Sequence, residues 1–232
     1  SYNNYRHMAA ALPFRAQAVR EGLQTQGMAF TPERVLIVHG FDSTIKGTTS
    51  HEFVHLLVAE AAGLGYSQVP AWLNEGLAEY GNIDPTDDYA SALRYGIYTR
   101  RIKPLWFQRT FGGTPDDIIT AYGQARSVVQ YMISRYGEPS ITELFVTIRD
   151  TLDIDQALLQ VYGVDQHGLD SQWRMAVGLE PLPPPEELRS QSESSQTAVP
   201  ELAATPEPVT VLASTPTPAP AASLDDESGQ ST

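Results

Sequence analysis

The chain contains no cysteine. That excludes disulfides, thiol catalysis and every zinc site built on thiolates, and it leaves the compartment open. Basic residues are scarce, with 15 lysines and arginines against 28 acids and a net charge of −13. A phosphate binder needs a basic face, so nucleic acid is excluded as a partner. No apolar run approaches the about 18 residues of a membrane span, and no signal peptide is visible. What is present, 41% hydrophobic and 9% aromatic residues in a chain of 232, suffices for one sizeable core. One domain with an appendage is therefore expected.

The appendage announces itself after Glu180, where the sequence turns to PLPPPEELRSQSESSQ and then TPEPVTVLASTPTPAPAA. Residues 181–232 hold ten of the 17 prolines and eight of the 28 acids. Such a stretch cannot build a core, so a folded domain over 1–180 and a disordered Pro/Ser/Thr/Ala-rich acidic tail over 181–232 are expected. The tail suits a stalk or a passive end. A start at Ser1 rather than methionine fits either a processed form or a shortened chain, so targeting segments can be missing; an extracytoplasmic enzyme, secreted or attached to the cell surface through segments outside this chain, is expected.

Chemistry concentrates in HEFVH, residues 51–55, and LNEGLAEY, residues 73–80. On a helix, His51 and His55 sit one turn apart and can share one ion. Glu52, about 100° further round, reaches a water on that ion without being a ligand. Two imidazoles rarely close a zinc site, so a third protein ligand is needed, with the fourth position left to water. The histidine-rich continuation HExxHxxGxxH is excluded, since Val58 and Ala61 stand where it needs glycine and histidine. A carboxylate from a second helix remains. Glu75 is placed for it, with nineteen residues, 56–74, between it and His55. That length finishes one helix, turns over 63–68 and brings a second helix back antiparallel. Glu79, one turn beyond Glu75, can accept a hydrogen bond from a ligand histidine and fix its tautomer. One Zn2+ is the cofactor this set implies. Zinc lowers the pKa of its water to about 7 and polarises a carbonyl, and Glu52 is the base that takes the proton.

The rest of the domain is mostly helical. A frayed start at 1–4, a helix over 13–26 and one strand over 34–38, RVLIV, precede the metal helix, which Thr48 or Thr49 caps. Phe53, Val54, Leu56, Leu57 and Val58 cover nearly every direction except the metal face, the pattern of a buried central helix. Pro70 opens the next helix and Gly81 closes it. Leu73, Leu77 and Tyr80 form its packing face, with Glu75 and Glu79 opposite. A tyrosine-rich helix lies within 84–111 and ends before Pro104. Thr114, Pro115, Asp116 and Asp117 start a helix or helix pair running to Gly137. Short helices follow over 141–151, 155–162 and 166–177 as a C-terminal helical subdomain. The aromatic PLWFQRTF, residues 104–111, reads as packing, as do Trp72 and the turn residue His39.

In HExxH…PxWLxEGLAEY, met by His51, Glu52, His55, Pro70, Trp72, Leu73, Glu75, Gly76, Leu77, Ala78, Glu79 and Tyr80, the chain resembles the gluzincins, and most closely the bacterial peptidase MA-like proteins. HExxH alone arises by accident on the order of once in a hundred chains of this length. A second matched segment at a suitable distance is far more specific. The resemblance covers roughly residues 31–178 and implies an α-rich α+β, zincin-like fold with a small N-terminal strand region on the HExxH helix. It implies a strand along the cleft that can pair with an extended substrate, and hydrolysis of peptide or protein substrates. It also implies an oxyanion donor from beyond the third ligand, for which Tyr122 is the candidate and Tyr66 the competitor. The alternative is an inactive gluzincin-fold binding module, which would have no chemical use for Glu52 between two ligands.

Overall fold

The computed structural model describes residues 27–40 and 44–183. The expected frayed start, the helix over 13–26 and the tail from 184 onward lie outside the described residues. The first element is a hairpin of β1, Gly27–Phe30, and β2, Val35–Val38, paired antiparallel with Gly27 opposite Val38 and Phe30 opposite Val35. Only β2 is foretold by its β-branched residues. The sequence of β1, GMAF, is poor in strand formers, and pairing with β2 overrides that propensity. Arg34, expected in the strand, takes φ 54° in the turn instead, where its N–H reaches Thr31 O at 3.3 Å.

Helix α1, Ile45–Ala62, follows and carries both histidines. It starts earlier than expected. Its N-cap is Thr44, with no side-chain cap bond, and Thr48 and Thr49 lie inside the helix. Only part of α1 is buried. Val58 and Ala62 are in the core, whereas Phe53 and Leu57 are 50% and 51% exposed. Apolar residues on several sides show what a helix can bury, and the two strands among the described residues do not cover all of them.

A 3-10 turn over Gly63–Gln68 leads to α2, Ala71–Tyr80, with Pro70 as N-cap and the Gly81 N–H closing on Leu77 O. α2 returns alongside α1. Ser50 of α1 accepts the Ile83 N–H at 3.0 Å beyond the end of α2, and a Cβ on Gly81 would stand 2.7 Å from Val54. Leu73 is fully buried, and Tyr80 is 40% exposed rather than a packing residue. The tyrosine-rich helix, α3, is shorter than expected, Asp87–Tyr98. Residues 105–107 form a separate 3-10 turn.

Thr114 and Asp117 form a capping box with Pro115 in the first turn, which starts one continuous helix, α4, Pro115–Tyr136. This is the central element. Ala125, Val128, Val129 and Met132 are fully buried, with Trp72 and Leu73 of α2 in the same core. α2 and α3 approach α4 at two glycines: a Cβ on Gly76 would lie 2.5 Å from Ala125 O, and one on Gly123 would lie 2.2 Å from Tyr89 O. Helices α5, Pro139–Thr151, α6, Ile154–Tyr162, and α7, Gln166–Ala176, complete the described residues. Gln166 ties α7 to the site helix by accepting the Trp72 indole N–H at 3.0 Å. Buried Asp170 and Arg174 pair and hold the loop before α4 through Leu105 N and Ile102 O. Seven helices and one small hairpin among the described residues make the α-rich α+β, zincin-like fold that was expected.

Candidate metal centre

The antiparallel course of α1 and α2 brings His51, His55 and Glu75 together. The two histidine Nε2 atoms are 3.1 Å apart, and Glu75 Oε2 lies 3.3 Å from that of His51 and 3.5 Å from that of His55. A tetrahedral zinc with bonds of about 2.0–2.1 Å has ligand-to-ligand edges of about 3.3–3.4 Å. The three atoms thus have the mutual spacing of three corners of such a site. Glu75 Oε2 is also buried without a hydrogen-bond partner. A buried carboxylate oxygen in that position is costly unless a cation meets it. By spacing, donor type and unmet charge, these residues fit a single divalent metal ion.

The outer ring nitrogens are held as well. His51 Nδ1–H donates to Glu79 Oε1 at 2.7 Å, which puts Glu79 behind His51. His55 Nδ1–H donates to Asn74 Oδ1 at 3.0 Å, and Asn74 Nδ2 donates to the Tyr66 hydroxyl at 3.4 Å. These bonds leave each Nε2 lone pair facing the common point. Asn74 was missed in the sequence. The available signal is that two histidines sharing one ion need two orienting acceptors, and Glu79 supplies only one. Burial alone would lower the His51 pKa, but the neighbouring carboxylates of Glu75 and Glu79 outweigh it and push it up to about 10. In the metal-free protein, a proton on His51 supplies part of the positive charge that the two carboxylates demand.

Glu52 points from the same helix into a cavity of about 290 Å³ that His51, His55, Glu75, Tyr66 and Tyr122 also line. It is buried, and burial raises its pKa against the lowering pull of the two histidines and of a hydrogen bond from the Ala29 backbone. Met28, Ala29 and Thr31 form the opposite lip. β1 and the turn after it, and not RVLIV as expected, supply the hairpin residues that line the cavity. Tyr122 stacks on Tyr89 at 5.1 Å and meets Phe111 in a T-shaped contact at 5.1 Å, with its ring 6.4 Å from that of His51. Burial, then the charge of Glu75, raises the Tyr122 pKa, so its hydroxyl stays protonated.

His39 and Trp72 do not line the cavity. Trp106 packs against His167 at 5.1 Å, and Phe107 faces solvent. A larger, open hollow by Glu138 and Glu143 brings no ligand histidine. No curated protein and no solved structure matches the chain. A family model does, that of the peptidase MA superfamily, over residues 2–178. It spans both the metal-ligand helices and the helices that pack against them. With the HExxH…E geometry, this match identifies the chain as a member of the peptidase MA superfamily.

Proposed function

We propose that the protein is a zinc-dependent peptidase in which His51, His55 and Glu75 hold the ion and Glu52 is the general base. The observation that carries this reading is the triangle of Nε2, Nε2 and Oε2 atoms with edges of 3.1, 3.3 and 3.5 Å, bordered by a buried carboxylate that is not part of it. A zinc ion bound there supplies Lewis acidity and an acidified water at neutral pH.

The protein's own groups then divide the proton work. Glu52 takes the proton from the attacking water, and its raised pKa brings it closer to the working pH than an ordinary carboxylate. It passes that proton to the departing amine as the peptide bond breaks. Tyr122, neutral and braced between Tyr89 and Phe111, offers its O–H to the oxygen on which negative charge develops. Tyr66 is the second candidate for that donor. Glu79 and Asn74 keep the imidazoles oriented. An extended peptide lies along β1, whose residues form the cavity lip.

Peptide hydrolysis by the zinc-loaded parent and by Glu52→Gln, each with measured zinc content, tests this assignment. The expected outcome is full zinc occupancy in both and a loss of about 10²–10⁴-fold in kcat for the variant. Equal hydrolysis by both overturns the role of Glu52. Bound zinc with no hydrolysis by the parent supports the inactive binding module instead.

A further inference from the structure

β1 passes so close to the metal helix that one of its residues has no room for a side chain. A Cβ on Gly27 would stand 2.7 Å from Glu52 Cγ, 2.8 Å from Glu52 Oε1 and 2.6 Å from Thr48 Cγ2. Carbon atoms in ordinary contact are about 3.5–4.0 Å apart. Gly27 is not among the residues with positive φ, so its backbone conformation does not call for glycine. Space does. Residues two apart on a strand share a face, and Ala29, two residues on, gives Glu52 a backbone hydrogen bond. The strand thus meets the Glu52 side chain twice, at the Gly27 Cα and through the Ala29 backbone.

We propose that β1 is a positioning strand for the general base, and that Gly27 is the residue that permits it. The missing side chain lets the backbone close over Glu52 and hold its carboxylate toward the cavity. This goes beyond the metal site and rests on the assignment of Glu52 as base. Gly27 is not among the residues that line the cavity, and it acts through Glu52.

The test is Gly27→Ala, alone and combined with Glu52→Ala. Alone, it is expected to retain one zinc per chain, to lower kcat about 100-fold through misplacement of the base, and to leave KM nearly unchanged. The readout independent of activity is a double-mutant cycle on the thermal unfolding midpoint. Gly27→Ala should lower the midpoint more in the parent than in the Glu52→Ala background, where the contacts with Glu52 Cγ and Oε1 are gone and only that with Thr48 Cγ2 remains. Equal lowering in both backgrounds, or an unchanged kcat, overturns the inference. If Gly27→Ala does not fold, recovery of zinc binding in the double variant supports the proposal, and continued absence overturns it. Should the parent hydrolyse no peptide, the unfolding cycle still decides whether Gly27 makes room for Glu52, so failure of the peptidase assignment is seen separately.

Discussion

The metal triangle consists of three atoms, and what holds each of them differs. In the proposed site Glu75 would supply a ligand oxygen directly, whereas Glu79 and Asn74 would act through the outer nitrogens of His51 and His55, to which they are hydrogen-bonded. Loss of an orienting partner typically weakens metal binding about 10–100-fold. Glu79→Ala and Asn74→Ala are each expected to fall in that range, and Glu75→Ala to lose more, in competition titrations against a zinc chelator. The reverse order would make Glu79 the third ligand. Protonation gives a second prediction. A histidine whose pKa is raised on folding stabilises the metal-free protein fully below its unfolded value of about 6.5, and that contribution is lost as pH rises through about 10. At pH 7 the metal-free site therefore carries a proton on His51 that zinc must displace. Calorimetry in buffers of different ionisation enthalpy should show about one proton released per zinc at pH 7, with affinity rising with pH. Release near zero would mean that His51 is neutral before the metal arrives.

Glu75 rides on α2, and α2 is set against α4 at Gly76. A side chain there meets Ala125 O at 2.5 Å and Val129 Cγ2 at 2.8 Å, so the helices must separate. Alanine gains up to about 1 kcal/mol of helix propensity over glycine, but overpacking a buried contact costs about 1–3 kcal/mol or more. Gly76→Ala is expected to lower the unfolding midpoint and to weaken zinc binding through displacement of Glu75. Gly112→Ala is the control, with nothing within 4 Å of the added atom, and should stay within about 0.5 kcal/mol of the parent. Parent-like stability and zinc affinity in Gly76→Ala would show that α2 is not pinned at that crossing. Elements with explicit punctuation were legible in the sequence, above all α4 with its capping box and α2 between Pro70 and Gly81. β1 was not, since its four residues carry no strand signature and pairing alone creates it.

At the scale of the whole molecule, the sequence revealed the helical fold and the two site segments because spacing on a helix fixes direction. It did not reveal which apolar faces are covered. Phe53 and Leu57 have core chemistry and stand half exposed, a property of what surrounds α1 and not of its own residues. Asn74, Ala29 and Gly27 were equally silent, because their effect depends on neighbours brought in by folding. No helix among the described residues is long and apolar enough to cross a membrane. All of the proposed chemistry depends on one ion bridging two helices. Its most direct test is a crystal of the zinc-loaded protein with diffraction recorded on both sides of the zinc absorption edge. The account predicts a single anomalous peak within about 2.0–2.2 Å of His51 Nε2, His55 Nε2 and a Glu75 carboxylate oxygen. Folded protein with no peak there, or with zinc held by other residues, would contradict it.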